Sequence, residues 1–223
     1  DAQVLQGGGS SKWTLPVFSY VIEHPTEGVV LLDAGFPKRT GENVASYPGR
    51  QVANLLGLSM KAGDAVVERL PEIGHDAAAV KHVIATHMHP DHIGGVEDFP
   101  QARLWVGPGE WDSAFGRGGL GRIDSSPYED HADVQHIDFT GTPALGPFDG
   151  SFDLFGDGSV VLVPLPGHTP GHMGAFVNLP GGSFLFTGDC AWVERHWSGP
   201  EPKSALVRGL LEHDWQANWA GWG

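Results

Sequence analysis

Apolar residues along this chain fall in short runs that glycine and proline close off, a pattern of strands and tight turns with few helices. Leu15–Ile22 (LPVFSYVI) and Val29–Leu32 (VVLL) read as two strands, and Pro25-Thr26-Glu27-Gly28 between them supplies turn chemistry, so the pair predicts a hairpin. The unbroken apolar run of the second strand predicts burial on both faces. Gly35 to Gly57 reads as irregular. Gly63–Leu70 sets Ala65, Val66, Val67 and Leu70 at helical spacing, and Pro71 and Gly74 end that helix. His82–Ala85, Ala102–Val106, Val160–Leu165, Gly174–Leu179 and Ser183–Phe186 read as further strands. Pro108–Phe115 reads as a short helix, and Pro200–His213 as a helix with Leu206, Leu210 and Leu211 on one side. Gly116–Asp133 is a long glycine-rich loop, and residues 1–12 a loose polar arm. With no repeat and no linker-like shift in composition, residues 1–223 read as a single α/β domain.

Composition narrows the classes of partner. The 33 glycines among 223 residues disfavour a helical bundle. A net charge of −14 argues against a nucleic-acid partner, whose phosphates would be repelled. No apolar stretch reaches the ~18 residues of a membrane span, so no membrane partner is expected. Cys190 stands alone and forms no internal disulfide. No signal peptide is visible, which favours the cytoplasm, although the start at Asp1 and the end at Gly223 leave both termini open to being cropped. The oligomeric state is not legible.

Twelve histidines are many for this length, and several fall into three motifs at predicted strand ends. In Thr86-His87-Met88-His89-Pro90-Asp91-His92, four metal-capable side chains fall within six residues. On a strand end His87 and His89 point to the same side, and Asp91 and His92 can face the same point from the turn that Pro90 opens. This mixture of imidazole and carboxylate suits zinc or a similar divalent ion. Pro166-Gly167-His168-Thr169-Pro170-Gly171-His172 aims His168 out of a tight loop, and Phe186-Thr187-Gly188-Asp189-Cys190 places Asp189 at another strand end. Strand ends hold ligands rigidly, as a metal cluster requires.

The ordered set HxHxDH, PGHTPGH and TGD, with Glu23-His24-Pro25 and Leu32-Asp33-Ala34-Gly35 before it, resembles the metallo-β-lactamase superfamily. The resemblance spans roughly Leu15 to His213. It implies an αββα sandwich with a dinuclear centre at one edge. His87, His89 and His168 would hold the first of two divalent metal ions, with zinc the expected element. Asp91 and His92 would hold the second, and Asp189 would bridge the pair. Asp33 and His172 would support the ligands by hydrogen bonds. The bridging aspartate sets the chain apart from β-lactam-hydrolysing branches, and VIEHPTEGVVLLDAG with FTGDCAWV is most similar to the quorum-quenching N-acyl-homoserine lactonases. Two departures stand out. Trp192 occupies the position where those lactonases carry a tyrosine. The last second-metal histidine, expected on a strand after the final helix, has no counterpart in His196 or His213. Either that strand is missing from this chain, which then continues past Gly223, or the second site is incomplete.

The implied function is metal-dependent hydrolysis of a small-molecule lactone or ester, most specifically an N-acyl-homoserine lactone, by a metal-bridging hydroxide. Asp91 is the candidate to pass a proton to the leaving oxygen. Tyr20, Trp111, Phe115 and Trp192 are candidate walls of an acyl pocket. A thioesterase, phosphodiesterase or β-lactamase on the same site is the alternative, followed by a non-hydrolytic metal-binding or di-iron protein.

Overall fold

The computed structural model describes residues 14–115, 124–199 and 201–220; the predicted arm at 1–12 and residues 116–123 of the glycine-rich loop lie outside them. The chain forms two compact units, one of Val17–Val106 with Trp111–Ile137, the other built mainly of Asp138–Gly223 with Gly107–Glu110.

The first unit is organised by its apolar strands. The predicted hairpin forms from β1 (Tyr20–His24) and β2 (Gly28–Leu32), paired antiparallel from Tyr20↔Leu32 to His24↔Gly28. Its turn needs Gly28 at φ +80°, and the His24 ring closes it by accepting the backbone N–H groups of Thr26 and Glu27 at Nδ1. β3 (Val80–Ile84), β4 (Arg103–Val106) and β5 (Val134–His136) extend the sheet in parallel, in the order β1-β2-β3-β4-β5. Val30 and Leu31 are fully buried, as the apolar run predicted, and each such side chain contributes ~1.5–3 kcal/mol of transfer free energy. Val83, Ile93, Phe99 and Leu104 share one core with Leu31.

The segment predicted to be irregular, Gly35 to Gly57, holds two short helices, α1 (Lys38–Glu42) and α2 (Arg50–Leu56). The predicted helix at Gly63–Leu70 contracts to α3 (Val66–Arg69), continued by a 3-10 turn, Leu70–Ile73, that ends at left-handed Gly74. α4 (Pro90–Ile93) is a single turn, and α5 (Glu110–Phe115) matches the predicted short helix.

The second unit holds an antiparallel sheet of β6 (Phe152–Asp153), β7 (Val160–Pro164), β8 (Met173–Leu179) and β9 (Gly182–Phe186) in sequential order. Val160, Leu162 and Ala175 are fully buried, whereas edge strand β9 leaves Phe184 and Leu185 exposed. After β9 come α6 (Arg195–Ser198), α7 (Ala205–Leu210) and α8 (Trp215–Ala220). The single helix predicted over Pro200–His213 contracts to α7, with α6 before that span and α8 after it. The predicted apolar side of that helix is also corrected: Leu206 and Leu210 are exposed, while Val207, Lys203 and Ser204 are buried. Ser204 caps α7, its hydroxyl accepting the Val207 N–H. Among the described residues no helix is long and apolar enough to cross a membrane.

Candidate metal centre

In the first unit the donors follow β3. The Ile84 carbonyl accepts the Asp33 N–H at 2.9 Å, so the ends of β2 and β3 lie side by side. Asp33 adopts φ +58°, a conformation that aspartate tolerates better than most side chains. Its Oδ1 accepts the Thr86 N–H (2.8 Å), and its Oδ2 accepts the Thr86 hydroxyl (2.9 Å). His87 and His89 come next, in a bent segment and not on the strand itself. Met88 between them packs into the core, and His87 Nε2 lies 3.0 Å from His89 Nδ1. Pro90 then starts α4 with His89 at its N-cap, because a missing N–H costs nothing at a first helical position. This turn brings the His92 ring to 4.1 Å from that of His87, and Asp91 Oδ2 to 3.7 Å from His92 Nε2.

The backing of these rings fixes what they can bind. Asp33 Oδ2 lies 2.7 Å from His92 Nδ1, so that nitrogen carries the proton and Nε2 the lone pair. Thr86 donates its hydroxyl proton to Asp33, which leaves its oxygen to accept from His87 Nδ1 at 3.1 Å. The same tautomer follows for His87. A carboxylate or hydroxyl behind Nδ1 is how metal-binding histidines are oriented.

The second unit carries the other two motifs. His168 is 1% exposed; its Nδ1 lies 3.0 Å from Glu212 Oε1 and its Nε2 lies 3.4 Å from Asp189 Oδ2. Gly167 is required before it, because a Cβ there would stand 2.3 Å from the Asn218 nitrogen. Asp189 sits in a 3-10 turn, Gly188–Cys190, and its N–H donates to His172 Nε2 at 3.2 Å. His172 is therefore a support of Asp189, as expected. Cys190 lies in that turn and not on the strand end. Burial pushes its thiol up to about 12, so it has little thiolate to offer a metal. His196 is buried and accepts the Trp192 backbone N–H, while His213 is exposed. The Trp192 indole N–H is buried without a partner among the described residues.

Three functional side chains were not singled out from the sequence. Glu110 is buried and accepts the Gly171 N–H at 2.8 Å, bracing the PGHTPGH loop. Glu212 stands behind His168, and Lys203 bonds Glu212. Burial alone would raise the Glu212 carboxyl, but the His168 hydrogen bond and the Lys203 charge outweigh it and bring it to about 2. Nothing in the local sequence marks Lys203 and Glu212 off from neighbouring charges such as Glu201, Arg208 and Asp214. The acyl-pocket candidates Trp111 and Phe115 pack at a tilt with ring centroids 5.0 Å apart and meet Tyr128 edge to face, and Tyr20 stacks on Phe18.

Imidazoles with protonated Nδ1 atoms and outward Nε2 lone pairs, together with Asp91 and Asp189, fit a divalent metal by their chemistry. Such histidines, His92 backed by Asp33 and His168 by Glu212, are the equipment of a metal-dependent hydrolase. The chain belongs to the metallo-β-lactamase superfamily, whose profile matches residues 13–217, and has its α/β fold. Within that superfamily it falls in the N-acyl homoserine lactonase branch. It is 30% identical over 200 residues to the lactonase AttM of Azorhizobium caulinodans, covering 87% of this chain and 72% of that relative. It is 26% identical over 189 residues to AiiA of Bacillus thuringiensis subsp. kurstaki, covering 84% of this chain and 69% of AiiA. A solved N-acyl homoserine lactone hydrolase, with N-hexanoyl-L-homoserine at its catalytic metal centre, superposes with a TM-score of 0.75 at 24% identity over 98% of this chain and 79% of its own.

Proposed function

We propose that this protein opens the lactone ring of N-acyl-homoserine lactones, releasing the N-acyl-homoserine. In this reading His87, His89, Asp91, His92, His168 and Asp189 are the side chains that would hold the divalent ions. Zinc is the ion that this donor mixture suits best. The observation that carries the reading is the backing of the donors: Asp33 behind His92 and Glu212 behind His168, each fixing the tautomer a ligand needs.

Bound divalent ions supply Lewis acidity, which polarises an ester carbonyl and acidifies water. The chain supplies the rest. Asp33, Thr86 and Glu212 hold the imidazoles in one orientation, so little reorganisation accompanies reaction. The Asp91 side chain is 29% exposed, within reach of a small substrate; it takes up the proton that the attacking water releases and delivers it to the ring oxygen as the ester C–O bond breaks. His172 and Lys203 hold the Asp189 backbone through its N–H and its carbonyl.

The test is metal analysis of the purified protein followed by a panel of N-acyl-homoserine lactones, a thioester, a phosphodiester and a β-lactam. Ring opening that a chelator abolishes and added zinc restores is the expected result. A metal-loaded protein that turns over the thioester or phosphodiester and no lactone would replace the substrate class.

A further inference from the structure

We propose that the buried ion pair between Lys203 and Glu212 is the positioning device for both candidate metal donors of the second unit, His168 and Asp189. The proposal rests on the metal reading above and extends it to residues outside the three motifs.

The two side chains are 5% and 1% exposed. Taking two charges out of water is costly, and apolar residues often replace such a pair without loss of stability, so stability alone is a poor account of it. Its bonds supply a better one. Glu212 Oε1 bonds both Lys203 Nζ and His168 Nδ1, and Glu212 Oε2 accepts from Asn218 Nδ2 at 2.6 Å. An ionised carboxylate only accepts, so His168 must carry a proton on Nδ1, and its Nε2 faces Asp189 Oδ2 at 3.4 Å.

Lys203 only donates, and its Nζ also bonds the Asp189 carbonyl at 2.5 Å. The Trp192 ring covers the ammonium at 4.6 Å. One cation thus ties the carboxylate behind His168 to the main chain of Asp189. The segment carrying Glu212 is anchored in turn, since the His213 and Asp214 N–H groups donate to the His168 and Gly167 carbonyls at 3.0 and 2.8 Å. The arrangement puts a neutral pair behind the donors: Glu212 orients His168 while Lys203 offsets its charge.

The test uses the full chain and three readouts: metal affinity by chelator competition, the ligand-field spectrum of the cobalt-substituted protein, and the melting temperature without metal. Glu212→Gln should bind metal ~10–100-fold more weakly and shift the cobalt bands. The double variant Lys203→Met/Glu212→Gln leaves no lone buried charge. It should melt close to the parent yet still bind metal more weakly. Glu201→Gln, in the exposed pair with Arg195, is the control and should change nothing. A measurement on the parent itself needs no variant: nitrogen NMR of metal-free protein should show His168 protonated at Nδ1. An Nε2–H tautomer, or a double variant with the parent's metal affinity and spectrum, would overturn the proposal. A parent that binds no metal would overturn the hydrolase reading as well. A parent that binds metal and opens lactones beside an unaltered double variant would overturn only this inference.

Discussion

Asp33 Oδ2 lies 2.7 Å from His92 Nδ1, and the same carboxylate accepts the N–H and hydroxyl of Thr86. One side chain at the end of β2 therefore sets the tautomer of His92 directly and that of His87 through Thr86. Asparagine at this position tolerates the same left-handed backbone, so Asp33→Asn isolates charge from strain. Its amide must present N–H to one of three donors, leaving that donor unaccepted. We expect a loss of ~1–3 kcal/mol in stability and a metal affinity ~10–100-fold weaker, read by thermal melts and chelator titration. Unchanged metal affinity would show that the tautomer is set elsewhere.

Gly95 follows the HxHxDH motif and is needed for close packing. A Cβ there would stand 2.1 Å from the Ala34 carbonyl oxygen, which is fixed backbone. The Ala34 N–H donates to the His92 carbonyl and the Gly95 N–H to the Gly35 carbonyl, both at 2.7 Å, stitching α4 to the end of β2. Gly95→Ala should cost ~1–3 kcal/mol and lower metal retention with it, because the stitch holds His92. A variant with the parent's melting temperature would mean that the two segments separate without penalty.

The sequence was most legible where period and punctuation agree. The β1–β2 hairpin and β7–β9 are apolar runs bounded by glycine or proline, and each lies within a few residues of its predicted place. His87, His89, Asp91 and His92 could be grouped as candidate donors because HxHxDH holds them within six residues. The helices of Gly35 to Gly57 were not, since Gly41 and Gly49 interrupt the pattern and each helix is short. β5 and β6 have three and two residues, too few for alternation to register. Glu212 meets His168 from 44 positions away, a contact that no local rule can foresee. The same holds for Glu110, 61 positions from Gly171.

Asp91 separates binding from proton delivery. Asp91→Asn removes a titratable proton with little change of shape, so kcat for lactones should fall ~10²–10⁴-fold while KM changes little. An aryl ester, whose leaving group needs no proton, should lose far less. Metal content must match the parent for the comparison to stand. Equal losses on lactone and aryl ester would remove Asp91 from the leaving-group step.

His82, away from the metal donors, gives the clearest pH prediction. Its Nδ1 accepts the Trp105 indole N–H at 3.1 Å, a bond that only the neutral ring can accept there. Burial holds its pKa below the ordinary histidine value, with the Arg103 charge adding to the depression and Glu27 and Asp133 opposing it. In the window from that depressed value up to about 6.5, the unfolded chain therefore binds more protons at this position than the folded one. Stability must rise with pH through this window and is lost as pH falls through it. His82→Gln keeps an acceptor for Trp105 but removes the titration. The melting temperature of the parent relative to His82→Gln should accordingly be lower at pH 5 than at pH 7.5. A difference that stays constant between those two pH values would mean that His82 takes up its proton as easily folded as unfolded.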